Sequence, residues 1–217
     1  MPRSLLIRSD SYPYHITARV NHREAWPIPI DRAWSIWCRE LHLASCFFGF
    51  EIHAFVMMPN HIHLLGTTPD ADLGRVSLHL MKRTSQQILA KTGRKGHLYG
   101  GPHHRNLILT DAYFATALKY VYRNPVEARI CKSVTEYEYS TLQVILGNRP
   151  PEFPLAPPRA GLSSQLPSET PADWLEWLAE PFPHKLRDQI ASDLRRKSAL
   201  RILSERSSRR LLPTPDF

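Results

Sequence analysis

Hydrophobic and polar positions in the first half of the chain follow the period of a strand, then of a helix, then of two strands. Residues 14–21 (YHITARVN) alternate as a strand does, and residues 28–50 carry apolar side chains at helical spacing, with Asp31 as the predicted N-cap. Two β-rich runs, residues 50–58 and 61–68, are joined by Pro59-Asn60, a dipeptide typical of a tight hairpin turn. The pattern predicts β-α-β-β.

The following residues continue the alternation of helix and strand. Residues 70–93 predict an amphipathic helix with a glycine stop at Gly93. Residues 104–110 (HRNLILT) predict a fourth strand, and residues 111–124 a third helix capped by Thr110 or Asp111. The order β-α-β-β-α-β followed by a helix predicts an α+β protein with a ferredoxin-like split β-α-β arrangement and an antiparallel sheet.

The composition of the chain changes after about residue 148. We therefore divide the chain into a body, residues 1–148, a Pro- and Ser-rich segment, residues 149–183, and a tail, residues 184–217. The middle segment has no hydrophobic period and is predicted to be an extended linker with little structure of its own. Residues 184–212 have a helical pattern with nine Lys or Arg and three Asp or Glu, a net +6 of the chain's +8. The tail is predicted to be a basic helix.

The charge and composition of the whole chain restrict its function classes. A net charge of +8 over 217 residues favours a polyanionic partner, with nucleic acid the leading candidate over a merely soluble basic protein. The N-terminal apolar run is three residues long, too short for a signal sequence, and no later run reaches spanning length, so we expect a soluble, cytoplasmic protein and no membrane partner. Three cysteines without a CxxC pair speak against a disulfide framework or a thiolate metal cluster.

Two histidines, His61 and His63, follow the Pro59-Asn60 turn at the start of a predicted strand. Side chains at i and i+2 of a strand leave the same face roughly 6 to 7 Å apart, so the two imidazoles can converge on one ion while Ile62 points to the other face. The spacing permits metal binding but does not require it, because a histidine on a strand is more often a partly buried ring with satisfied hydrogen bonds.

A second pair of chemical interest lies on the third predicted helix. Tyr120 and Asn124 stand at i and i+4, which places them on one helical face about 5 to 6 Å apart. An amide oxygen suits Mg²⁺ or Mn²⁺, and a phenol can act as a nucleophile when a metal polarises its target. Tyr122 lies roughly 200° around the helix and should face elsewhere. The alternative is that Tyr120 is a core aromatic and that Asn124 ends the helix before Pro125.

Taken together, these stretches resemble a known family. Four motifs within residues 12–143 carry the likeness: YPYHITARVNHRE, FVMMPNHIHLL, LMKRTSQQI and YVYRNPVEARI. In their order and spacing the chain resembles the single-tyrosine HUH transposases and, among them, the REP-associated tyrosine transposase-like proteins. The chain departs from relatives in the loop GHLYGGPHHRN, where we expect His103 and His104 to be exposed, and in the stretch EYEYSTL.

The resemblance implies a fold, an activity and a set of site residues. The HUH strand would lie in the sheet, with the helix that carries the tyrosine packed beside it. His61, His63 and Asn124 would hold a divalent metal, Mg²⁺ or Mn²⁺. Tyr120 would be the nucleophile that forms a 5′-phosphotyrosine bond with single-stranded or hairpin (REP-like) DNA. The enzyme would nick and rejoin DNA. Candidate DNA contacts are Arg19, Arg23, Lys82 and Arg83.

Two other readings remain open from the sequence. One is a nucleic-acid-binding protein without catalysis on the same scaffold, and the other is a metal-dependent phosphodiesterase that uses water as its nucleophile. We expect a monomer, with a dimer as the alternative, because the helix bearing Tyr120 follows the fourth strand closely enough to pack beside the sheet of its own chain.

Overall fold

The fold is built on a four-stranded antiparallel sheet. The structure, a computed structural model, describes residues 8–157, 165–167 and 170–180. The strands are β1 (Tyr14–Arg19), β2 (Glu51–Met58), β3 (His61–Thr67) and β4 (His104–Leu107), in the spatial order β2-β3-β1-β4. Since β1 and β2 both pair antiparallel with β3, they point the same way with β3 between them, which is the split β-α-β arrangement expected from the sequence.

Five α-helices accompany the sheet in the described residues. They are α1 (Ile30–Phe48), α2 (Leu73–Ala90), α3 (Asp111–Glu127), α4 (Leu142–Ile145) and α5 (Pro171–Ala179). Tyr14, Ile16 and Ile62 belong to the hydrophobic cluster beneath α1 and α2, whereas Val56 and Leu65 belong to the one beneath α3. The period of two therefore buries both faces of the sheet, α1 and α2 on one side and α3 on the other.

The ends of the first two helices differ from the predicted ones. Helix α1 begins at Ile30 with Pro29 at the N-cap, so Asp31 lies in the first turn, where its charge favours the helix dipole, and is not the cap. Asp72 caps α2 by accepting from the backbone N–H of Arg75. Helix α2 ends at Ala90 rather than near Gly93, because the cap N–H of residue 91 already bonds to the carbonyls of Ile88 and Leu89.

Helix α3 runs past the proline that was expected to stop it. It continues to Glu127 with Pro125 inside, whereas the sequence predicts an end at Asn124. Pro125 is buried, the carbonyl of Asn124 accepts from Ala128 N, and that of Pro125 accepts from Ile130 N. Burial of the proline and these bonds outweigh the local bias against helix before proline. Of the two predicted caps, Thr110 is used, and it accepts from Tyr113 N.

The segment after residue 148 is packed against the body where the structure describes it, so the prediction of an extended linker with little structure is wrong for these residues. Phe153 is buried in the α1 cluster, and Ala156 N donates to the carbonyl of Ile52 on β2. Helix α5 places Leu178 and Trp174 against the α3 cluster. Burial of a few aromatic and leucine side chains is enough to dock a short segment, even though they are too few to give a hydrophobic period.

The predicted basic tail, residues 184–217, lies outside the described residues. Among the helices that are described, none is long and apolar enough to cross a membrane.

Candidate functional site

Strand register gathers polar side chains at one end of the sheet, on the face covered by α3. In β1, Thr17 pairs with His63 of β3 and Arg19 pairs with His61. On its other side Thr17 pairs with His104 of β4. Directly paired residues of antiparallel strands share a face, so three strands contribute to one polar patch. The HxH spacing alone predicted that the two histidines lie on one face of the strand and Ile62 on the other, and this arrangement is observed.

Helix α3 brings Tyr120 to this patch within the same chain. Its ring centroid lies 5.5 Å from that of His63 and 6.2 Å from that of His15, edge to face in both cases. Tyr122 points away, buried in the α3 cluster with its hydroxyl 3.2 Å from Thr141 Oγ1. Burial raises the pKa of Tyr122. The expectation that the two tyrosines face different surroundings is confirmed.

An open cleft of about 640 Å³ lies over the two histidines. One wall is the loop at residues 100–102, which is held to the end of β1 by a bond from Gly100 N to the carbonyl of Arg19. A Cβ at Gly100 would come within 3.2 Å of Asn21 Cα, so this approach of two backbones favours glycine. The remaining lining side chains are mostly polar or basic, including Thr17, Arg19, His22, Arg23, His61, His63, His104 and Tyr120.

The two histidines of the HxH stretch are neutral and close together. His61 Nε2 lies 3.1 Å from His63 Nε2. Burial, with the charge of Arg19 second, lowers the pKa of His61 to about 4. Burial first, then the neighbouring His61, His15 and Arg19, lowers the pKa of His63 well below its usual 6.5. Both rings therefore keep a lone pair at neutral pH.

Each of these imidazoles has a hydrogen-bonding neighbour at its Nδ1. Asn60 Oδ1 lies 2.7 Å from His61 Nδ1, and Asn60 Nδ2 donates to the carbonyl of Arg23 at 3.0 Å. On the other ring, His15 Nε2 lies 2.9 Å from His63 Nδ1. His15 is only 1% exposed, and burial lowers its pKa to about 3.

The geometry of the imidazole pair fits a divalent cation. Two ligand nitrogens about 2.1 Å from one octahedral ion, at adjacent positions, stand about 3 Å apart, and the Nε2 atoms have that separation. In the part of the chain that the structure describes, no group of three His, Cys, Asp or Glu side chains is arranged to hold a metal. Further ligands would have to be an amide, a phenol, water or a substrate oxygen.

The other residues singled out from the sequence divide into those at the cleft and those away from it. Arg19 and Arg23 line the cleft. Asn124 lies one turn beyond Tyr120, half-buried and not among the cleft-lining residues. Lys82 and Arg83 lie on α2, on the opposite side of the sheet, and Arg83 Nε is 4.0 Å from the buried carboxylate of Glu40.

The sequence did not single out His15 or Asn60 as site residues. His104 begins β4, in agreement with the strand predicted over residues 104–110, and it is exposed as expected and lines the cleft. His103, which was expected to be exposed, is partly buried. The period of two in YHITAR puts His15 on the face of Arg19, which was a usable signal. The pairing of β1 with β3 that brings His15 to His63 joins residues 48 positions apart, and no local pattern reports it.

Comparison with solved structures identifies the class of fold. It is an α+β fold with a four-stranded antiparallel sheet, shared with a tyrosine transposase of known structure. A structure of a REP-associated tyrosine transposase bound to a REP hairpin superposes with a TM-score of 0.56 at 19% sequence identity, covering 74% of this chain and 96% of that chain. A candidate transposase from Deinococcus radiodurans R1 gives a TM-score of 0.38 at 16% identity, over 60% of this chain and 94% of that one. No known protein-family profile matches the sequence. No curated protein matches it either.

Proposed function

We propose that this protein is a transposase-like enzyme that nicks and rejoins single-stranded or hairpin DNA through a covalent bond to Tyr120. The observation that carries the proposal is the placement of the Tyr120 ring 5.5 Å from that of His63, above a pair of neutral imidazoles in one cleft. A phenol beside two metal-type ligands is the constellation that phosphoryl transfer to a tyrosine needs.

In the proposed reaction Tyr120 Oη attacks a backbone phosphorus atom of the DNA. The Oη–P bond forms as the bond to the 3′-oxygen breaks, and the phenol's proton balances the charge on the departing 3′-hydroxyl. A 3′-hydroxyl attacking the phosphotyrosine reverses the exchange, so strand joining needs no external energy source. A divalent cation, Mg²⁺ or Mn²⁺, held by His61 and His63 with Asn124 proposed as a third ligand, would stabilise charge on the phosphate oxygens.

The partner is proposed to be DNA with a single-stranded portion in the cleft. Arg19 and Arg23, which line the cleft, would contact its phosphates, and Lys82 and Arg83 are proposed contacts for more distant parts of a hairpin. The REP hairpin bound by the structural neighbour makes this class of substrate the first to test. Tyr120 and His63 belong to one chain, which supports a monomer as the active form.

The test is to trap the covalent adduct and to map its position. Tyr120→Phe should abolish an adduct formed with labelled hairpin oligonucleotides and Mn²⁺, while DNA binding persists, because only the nucleophilic oxygen is lost. Tyr122→Phe is the matched control, since the hydroxyl of Tyr122 is buried against Thr141, and it should retain adduct formation. Strand cleavage without any adduct would favour the water-using phosphodiesterase, and binding without cleavage the non-catalytic alternative.

A further inference from the structure

Hydrogen bonds behind the cleft determine which nitrogen of each imidazole carries its proton. Asn60 Nδ2 is the only donor of its amide and points at the carbonyl of Arg23, so Asn60 Oδ1 is the atom that faces His61. A carbonyl oxygen can only accept, and His61 Nδ1 must therefore be protonated. In the neutral ring the lone pair of His61 then stands on Nε2, the atom that faces His63 Nε2.

The proton of His63 then depends on what occupies the cleft. With no cation present, His63 Nε2 must carry a proton to donate to His61 Nε2 across 3.1 Å. His63 Nδ1 consequently carries a lone pair and accepts from His15 Nε2–H across 2.9 Å. That leaves His15 Nδ1 as a bare acceptor, and this buried atom has no hydrogen-bond partner among the described residues.

A cation bound by both Nε2 atoms requires the other tautomer of His63. Its proton must then stand on Nδ1, and the hydrogen bond to His15 is kept only if His15 Nε2 turns from donor to acceptor. The proton of His15 Nε2 passes to His63 Nδ1, the proton of His63 Nε2 leaves to solvent, and His15 Nδ1 takes one up. Three rings keep three protons and stay neutral. An imidazole at residue 15 can serve both states because each of its nitrogens can donate or accept.

We propose that His15 and Asn60 are positioning residues that present the lone pairs of His63 and His61 to the cleft, with His15 exchanging its tautomer when a cation binds. A role in packing alone does not explain a histidine at position 15. His15 is 1% exposed between the buried Tyr14 and Ile16, where an apolar side chain would leave no polar atom unpartnered. Partners of this kind orient metal-binding histidines and set their tautomer.

The inference rests on the proposed metal role and is tested first by Mn²⁺ affinity in titration calorimetry. His15→Leu removes the acceptor and should weaken Mn²⁺ binding by about 10- to 100-fold. His15→Gln, whose side-chain amide can still accept from His63 Nδ1–H, should stay within about threefold of the unchanged protein. His53→Leu is the control. His53 is another buried histidine of the sheet, bonded to Thr67 Oγ1 and the carbonyl of Ala156, and should lose stability without losing affinity.

The second measurement is the tautomer of each ring, from ¹⁵N chemical shifts of labelled histidines. Metal-free protein should show His61 protonated on Nδ1, and His63 and His15 on Nε2. Adding diamagnetic Mg²⁺ should move the protons of His63 and His15 to Nδ1. A His15 protonated on Nδ1 before Mg²⁺ is added, or equal Mn²⁺ affinity in the Leu variant, would overturn the positioning role. If the metal-free tautomers are as predicted but the protein binds no cation, the metal role is overturned, whereas the hydrogen-bond arrangement stands.

Discussion

The two imidazoles of the HxH stretch differ in how much of their role is structural. His63 is 3% exposed and lies between His61, His15 and Tyr120, whereas His61 is half-buried at the edge of the cleft. The same substitution at the two positions therefore has different consequences for folding, and a comparison of the two separates ligation from packing.

We expect His61→Ala and His63→Ala both to abolish the covalent DNA adduct, because each removes one of two proposed ligands. His63→Ala should in addition lower the melting temperature more, since it leaves a cavity and deprives His15 Nε2 of its partner. Adduct yield and thermal unfolding measured on both variants check this. If His61→Ala unfolds the protein as much as His63→Ala does, His61 has a packing role instead.

The lowered pKa values of His61 and His63 predict an unusual pH dependence of metal binding. Two ordinary imidazoles of pKa 6.5 would lose about 100-fold in affinity between pH 7.5 and 5.5, because both become protonated. With a pKa of about 4 at His61, and that of His63 also lowered, Mn²⁺ affinity should change less than about threefold over this range. Calorimetric titration at the two pH values is the measurement.

The lowered pKa values of His61 and His63 also determine how the free energy of unfolding depends on pH. The folded protein keeps these histidines neutral, whereas the unfolded chain protonates them near pH 6.5. Their contribution to the free energy of unfolding is therefore complete above pH 6.5 and is lost as the pH falls toward about 4. A hundredfold loss of Mn²⁺ affinity at pH 5.5 in protein that circular dichroism shows to be folded would contradict the neutral pair.

At the scale of elements, the sheet separates basic residues into two groups. Arg19 and Arg23, at the end of β1 and in the short turn after it, line the cleft, while Lys82 and Arg83 belong to α2 on the opposite side. Proposed contacts of the first group would lie near the scissile phosphate, and those of the second would require a substrate that reaches around the sheet.

Substitution of these groups should distinguish a single strand from a hairpin. We expect Arg19→Ala with Arg23→Ala to weaken binding of a short single strand and of a hairpin alike. Lys82→Ala with Arg83→Ala should weaken only the hairpin, with a salt slope shallower by up to about 1.8, which is two phosphate contacts. Binding titrations at several salt concentrations measure both. Arg75→Ala, at the other end of α2, is the control for loss of one exposed charge.

At the scale of the whole molecule, the chain after residue 148 combines packed and basic portions. Phe153 and helix α5 contribute to the two hydrophobic clusters, and Lys119 of α3 forms an ion pair with Glu180 at 3.1 Å. The tail predicted to be a basic helix, residues 184–217, follows these residues in the sequence, and we expect its positive charge to add nonspecific affinity for DNA. Two truncations can therefore separate support of the fold from affinity for DNA.

Truncation after residue 180 should preserve adduct formation and melting temperature but weaken binding of long DNA. The salt dependence of affinity should become shallower by several phosphate contacts, each worth about 0.7 to 0.9 of logarithmic slope. Truncation after residue 148 should lower the melting temperature as well, since it removes Phe153 and α5. An unchanged salt slope with a lower melting temperature after the first truncation would show that the tail supports the fold rather than DNA binding.

The local pattern was enough for the order of strands and helices and for part of the site. The period of two and the Pro59-Asn60 turn predicted the β2-β3 hairpin, and the spacing of His61 and His63 put both on one face. Helical angle separated Tyr120 from Tyr122. These properties depend on neighbours within four residues, and sequence reports such neighbours directly.

The ends of the helices and the docking of the segment after residue 148 could be predicted less well from the sequence, because packing decides them. Helix α3 keeps Pro125 inside by burying it, and the Pro-rich segment docks through a few apolar side chains that show no period. In both cases a weak local preference of the backbone opposes the burial of apolar side chains against the rest of the fold, and burial contributes the larger free energy.

The sequence by itself determined the α+β order, the HxH face and the different orientations of Tyr120 and Tyr122. Only the tertiary structure decided that β1 lies beside β3, which brings His15 to His63, Arg19 to His61 and His104 to the same cleft, and leaves α2 on the far side. The physical reason is the separation along the chain of the residues that interact. Strand and helix periods follow from the bonds and sterics of adjacent residues, whereas pairing of strands nearly fifty residues apart follows from burial of both sheet faces at once.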